Sequence, residues 1–131
     1  MKNVTPPGTF TFAYATGANN LGDVVGFTNL SAFVYKGGRY QTFELGDGSS
    51  TTAWDVNDSG IVVGSYTGCV DGVCFHGYAA KAGKTITLDF PGALETFAFG
   101  INNAGQVVGS YTFDYETYHG FVTSPLITSN F

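Results

Sequence analysis

Apolar and polar side chains alternate over residues 9–18, with Phe10, Phe12 and Tyr14 on one side and Thr9, Thr11 and Ala13 on the other. Alternation with period two predicts a half-buried β-strand. The chain then reads Asn19-Asn20-Leu21-Gly22 and returns as Asp23-Val24-Val25-Gly26-Phe27. A tight reversal wants Asn or Asp where the backbone turns and Gly where φ is positive, because a side chain there would clash. The same arrangement recurs at Asn57/Gly60 and Asn102/Gly105, inside the segments 53–66 and 98–111, which align without a gap. Three β-hairpins are therefore predicted. Third and fourth strands follow at Ala32–Tyr35 and Tyr40–Leu45, a third strand of the last hairpin at His119–Thr123, and an edge or truncated strand at Ile127–Phe131.

A shift of 45 residues brings Lys36 onto Lys81, Gly38 onto Gly83 and Glu44 onto Asp89. That correspondence makes the unit four short antiparallel strands with a period near 45 residues. One domain over 1–131 is expected, with units at approximately 9–45, 46–90 and 91–131. Val4-Thr5-Pro6-Pro7-Gly8 resembles Leu88-Asp89-Phe90-Pro91-Gly92, so the chain is expected to open inside a repeat.

Three further motifs bear on the type of repeat: Asp89-Phe90-Pro91-Gly92-Ala93, the run from Gly100 to Gly109, and His119-Gly120-Phe121. With them the unit resembles the HAF-type repeats of bacterial extracellular proteins. The first unit fits less well, with Ser31-Ala32-Phe33 in place of His-Gly-aromatic. The resemblance implies four-stranded blades of β-propeller type and a secreted or cell-surface bacterial protein; no common activity and no catalytic residues come with it. Propellers typically have four to eight blades. Three units therefore fit a six-bladed ring closed by two chains, a part of a longer chain, or a β-trefoil or β-prism monomer.

Composition narrows the function. Nineteen Gly, twelve Phe and eight Tyr with 11% charged residues describe an all-β chain of short strands and many turns. A net charge of −5 with only five Lys or Arg leaves no basic stripe for phosphates, so no nucleic-acid partner is expected. No segment is long and apolar enough to span a membrane. Met1-Lys2-Asn3-Val4 lacks an apolar signal core, which fits an intracellular chain or one whose signal has been removed. Cys69 and Cys74 bracket Val-Asp-Gly-Val, a spacing that staples a hairpin end, and the disulfide is preferred over free thiols. A disulfide implies an oxidising compartment.

Candidate chemistry is sparse. There is no nucleophile elbow and no phosphate loop, and no metal or cofactor is called for. His76 and His119 hold equivalent positions, and Tyr66, Tyr111, Phe113, Tyr115 and Tyr118 gather near the second-to-third strand connections. Tyrosines at loop tips stack on sugars or protein surfaces while their hydroxyls stay wet. The preferred reading is a non-enzymatic binding or surface module that presents Tyr66, His76, Tyr111, Tyr115, Tyr118 and His119 to a glycan or protein. The rival is a hydrolase or lyase at the axis of a closed ring, with His76, His119, Asp89 and Glu116 as acid and base.

Overall fold

The computed structural model describes all 131 residues. The protein is all-β, its only helical turn being a 3₁₀ segment at Thr128–Asn130. Strands β1 (Ala13–Ala18), β2 (Val24–Thr28), β3 (Ala32–Lys36) and β4 (Arg39–Phe43) form a four-stranded antiparallel sheet in chain order. Strands β5 (Thr51–Val56), β6 (Val62–Val70), β7 (Val73–Lys81), β8 (Lys84–Leu88), β9 (Glu95–Ile101), β10 (Val107–Thr112) and β11 (Tyr118–Val122) form a curled seven-stranded sheet. Within it, β5 to β8 and β9 to β11 pair antiparallel in chain order. A single parallel contact, Phe75 opposite Glu95, joins the two groups.

The three hairpin turns share one set of bonds. Gly22, Gly60 and Gly105 donate their backbone N–H to the carbonyls of Asn19, Asn57 and Asn102, with φ of 86°, 82° and 85°. Each Asn Oδ1 accepts the N–H that starts the return, from Asp23, Ile61 and Gln106, at 3.0, 2.9 and 2.9 Å. The Asn-x-x-Gly sequence folds this way because the side chain and the glycine together satisfy the reversed backbone.

Two apolar seams hold the structure. In the first, Val25 and Ala32 with Val34 and Phe43 meet Ala53, Val56 and Val62. In the second, Ile61, Val63 and Ala79 with Leu88 meet Ala98, Ile101 and Val107. Polar bonds run alongside. Asn19 Nδ2 donates to the Asn57 carbonyl at 3.0 Å, and Asn57 Nδ2 donates to the Asn102 carbonyl at 3.1 Å. Asn20 N–H donates to Asp58 Oδ1, and Asp58 N–H to Asn103 Oδ1, both at 2.8 Å.

One predicted strand is shortened and one does not form. Residues 9–12 lie outside β1. They alternate, but Thr11 N–H donates to the Asn29 side chain instead of a neighbouring strand. Ile127–Phe131 is not an edge strand but holds the 3₁₀ turn Thr128–Asn130, because Leu126 N–H bonds the Gly105 carbonyl and carries the tail across the third turn, away from β11. Cys69 and Cys74 are disulfide-bonded, and they lie on β6 and β7 flanking an Asp71-Gly72 turn, not in an open loop.

Candidate binding groove

On β9, Thr96 and Ala98 are buried, whereas Phe97 and Phe99 occupy the opposite face. β5 divides in the same way, with Thr51 and Ala53 buried and Thr52 and Trp54 turned to the other side. The two outward faces, with the middle of β6 and single residues of β7, β10 and β11, line a groove of about 500 Å³. Its walls are aromatic: Trp54 meets Phe99 edge-on at 5.8 Å, Phe97 lies 6.0 Å from Phe99 with the planes 9° apart, and Phe75 stands 5.9 Å from Phe97. Phe99 is 47% exposed and Tyr118 49%. Hydroxyls of Thr52, Ser65 and Ser110 punctuate the floor, and the Thr52 and Ser65 pair is bonded at 2.8 Å. Trp54 Nε1–H is buried without an acceptor in the protein.

Tyr66 and Tyr118 both line this groove. Tyr118 donates its hydroxyl to Glu95 Oε1 at 2.6 Å, and the carboxylate beside it pushes the phenol pKa up. The other candidate residues lie elsewhere. Tyr66 stacks on His76 at 5.0 Å, so it joins the groove to a second cluster. Tyr111 stacks on Phe90 at 3.7 Å and lies 5.3 Å from His119, with Phe113 edge-on to it. Tyr115 stands exposed on the turn after β10, with φ of 63°. That turn is fixed by Asp114 Oδ1, which accepts the N–H groups of Glu116 and Thr117 at 2.9 and 2.8 Å.

His76 is buried between two acceptors. Its Nδ1 lies 2.7 Å from Asp89 Oδ2 and its Nε2 2.7 Å from the Gly68 carbonyl. A carboxylate and a carbonyl both call for a donor, so the two bonds are made together only by the imidazolium, and the site favours the protonated form. Burial pulls its pKa down, but the bonds to Asp89 and Gly68 more than offset this and hold it above the ordinary 6.5. No carboxylate is hydrogen-bonded to His119, and Ser31 takes the corresponding place in the first unit, so the His–carboxylate pair does not recur. No three His, Cys, Asp or Glu side chains gather as a metal site would need.

The sign of the pH effect follows from the raised pKa. Stability from this pair is fully present below pH 6.5 and is lost as pH rises through the folded-state value. An NMR titration of the His76 imidazole is expected to give a midpoint above 6.5, which Asp89→Asn lowers. A wild-type midpoint below 6.5 would contradict the two-acceptor geometry.

Residues 41–120, more than half of the 131, match the family described as "Protein of unknown function (DUF3466)". The chain belongs to the DUF3466 family. The matched span runs from within β4 to within β11 and contains the groove. This corrects the resemblance to HAF-type repeats, because most of the residues that carry it fall inside the DUF3466 match. The Asn-x-x-Gly and Val-Val-Gly residues behind it do work common to β-hairpins, reversing the chain and letting strands approach, and so do not specify one family. No curated protein and no solved structure matches this DUF3466 chain.

The sequence signal for the groove is the 45-residue alignment that sets Phe99 on Trp54, with a neighbouring aromatic at Phe97. Strand phenylalanines read in isolation as core, and this one correspondence marks an aromatic position that repeats outside it.

Proposed function

We propose that this protein is a non-enzymatic binding module of β-blade-type repeats that takes a glycan in the groove between β5 and β9. The observation that carries the reading is the groove itself. It sets nearly parallel aromatic rings, Phe99 half exposed among them, beside hydroxyls, and a sugar binds such a surface by packing its C–H face on ring carbons while its rim hydroxyls bond. The meander order of the strands and the face-to-face seams support blades over a trefoil or prism. The disulfide supports a secreted or cell-surface setting. Tyr66 and Tyr118 are the predicted contacts that this site uses, joined by Trp54, Phe75, Phe97 and Phe99. The acid–base reading on His76, His119, Asp89 and Glu116 has less support, since both nitrogens of His76 are engaged and Glu116 sits on an exposed turn.

Trp54 is the only tryptophan, so its fluorescence reports on the groove. Titration with cello-, xylo-, chito- and malto-oligosaccharides is expected to shift that emission for at least one series. Phe99→Ala should weaken the binding about tenfold, or about 1.4 kcal/mol, while lowering the melting temperature by only about 4 °C, because the ring is half exposed. Emission unmoved by millimolar amounts of every series would refute the glycan. Saturable binding to a protein alone would assign the groove to a protein partner.

A further inference from the structure

The two seams are built from equivalent parts, and the same parts are left uncovered at the two ends of the molecule. On one side of each seam stands a cross-strand pair, Val25 with Val34 in the first and Val63 with Ala79 in the second. The corresponding pair of the last sheet is Val108 with Val122, in the same antiparallel register, and these are 48% and 61% exposed. On the other side stand Ala53, Val56 and Val62, then Ala98, Ile101 and Val107. Their counterparts in the first hairpin are Ala15, Ala18 and Val24, of which Ala15 and Ala18 are exposed and Val24 is half-buried.

The polar ladder is open with matching polarity. Asn57 Nδ2 and Asp58 N–H donate to the next turn. Their counterparts are Asn102 Nδ2, bonded within its own turn to Gln106, and Asn103 N–H, for which the chain offers no acceptor. Among the acceptors, the Asn57 carbonyl and Asp58 Oδ1 receive bonds from the first turn. The Asn19 carbonyl receives only Gly22 N–H at 3.4 Å, and Asn20 Oδ1 receives nothing. One end lacks acceptors and the other lacks donors.

We propose that the β10–β11 face of one chain docks on the β1–β2 hairpin of a second copy, continuing the seam. Val108 and Val122 of one chain cover Ala15, Ala18 and Val24 of the other, and Asn102 and Asn103 donate to Asn19 and Asn20. The proposal rests on the repeat reading above. Two such contacts close a ring of six units, inside the four-to-eight range of propellers, whereas three copies would make nine. The second copy is preferred over an unrelated protein because the exposed Val108–Val122 pair and the Ala15, Ala18 and Val24 set correspond to residues that face each other across a seam the chain already makes with itself.

Light scattering on the 131-residue chain is expected to give about 28 kDa, twice 13.8 kDa. Val122→Glu and Ala18→Glu change exposed side chains at opposite ends, and each alone should halve that mass while the monomer keeps the wild-type circular dichroism spectrum and loses only the stability that association adds. An equimolar mixture of the two should recover dimer, because one of its two contacts is then unmodified on both sides. A monomeric wild type, mass that grows beyond the dimer with concentration, or a dimer that survives both variants would overturn the proposal. Failure of the repeat reading shows separately, in the Asn57→Ala melt: a monomer in which that substitution still destabilises the chain overturns the dimer alone.

Discussion

A Gly64→Ala chain is expected to melt about 12 °C lower than wild type, from a loss of about 3 kcal/mol. The added methyl would stand 2.8 Å from Tyr78 Cε1 and 2.9 Å from the Thr52 carbonyl carbon, and would overlap that carbonyl's oxygen. Neither neighbour can give way cheaply. Tyr78 is fully buried, donates its hydroxyl to the Thr52 carbonyl at 2.8 Å and meets Phe43 edge-on at 6.0 Å. Moving the ring breaks the buried bond, and moving Thr52 breaks the β5–β6 ladder. Gly26 and Gly109 sit under Phe33 and Phe121 at 2.7 Å in the same way, so Ala there should cost a similar amount. Gly120 has nothing closer than 3.9 Å, which makes Gly120→Ala the control. Thermal melts followed by circular dichroism decide it, and a Gly64→Ala midpoint within about 3 °C of wild type would show that the sheet yields at this point.

These glycines show where the sequence is readable and where it is not. Asn19, Asn57 and Asn102 with their glycines are legible as turns because donor, acceptor and φ all belong to four consecutive residues. Val-Val-Gly is legible only as a returning strand. What forbids a side chain at Gly64 comes from Thr52 and Tyr78, twelve residues before it and fourteen after, and no local pattern carries that information. Residues 9–12 fail for a related reason. Their alternation is as regular as that of β1, but a strand is completed by its partner, and Thr11 finds Asn29 instead.

The site divides along the same line. Cys69 and Cys74 are legible because the hairpin that brings them together is local. His76 and His119 look equivalent in sequence and differ in the fold, since only β7 has a following strand, β8, leading to a carboxylate. The groove was hidden by composition. In a chain with twelve Phe, a phenylalanine on a strand reads as core, and β9 is apolar enough on both faces that alternation does not say which one is covered. Only the packing of the Thr96 and Ala98 face against the second seam leaves Phe97 and Phe99 to form a wall.

Asn57→Ala is expected to cost about 2–3 kcal/mol, more than the same change at Asn102. Asn57 is buried at the junction of both seams: its Oδ1 holds the buried Ile61 N–H at 2.9 Å, and its Nδ2 reaches the Asn102 carbonyl at 3.1 Å. Truncation leaves a buried donor without a partner and cuts the tie between the second and third turns. Asn102 makes the turn bond but is exposed and donates only within its own turn, so water replaces much of what is lost. Asn57→Asp separates the two contributions. It keeps the acceptor for Ile61 and sets a second oxygen against the Asn102 carbonyl, so it should be no more stable than Asn57→Ala if the tie between turns dominates. Recovery to within about 0.5 kcal/mol of wild type in Asn57→Asp would assign the whole effect to the turn. The shape of the melt carries the remaining information. If the seams couple the sheets, Asn57→Ala lowers one transition and leaves it single, whereas a split transition would mean that this one side chain is what makes the sheets unfold together.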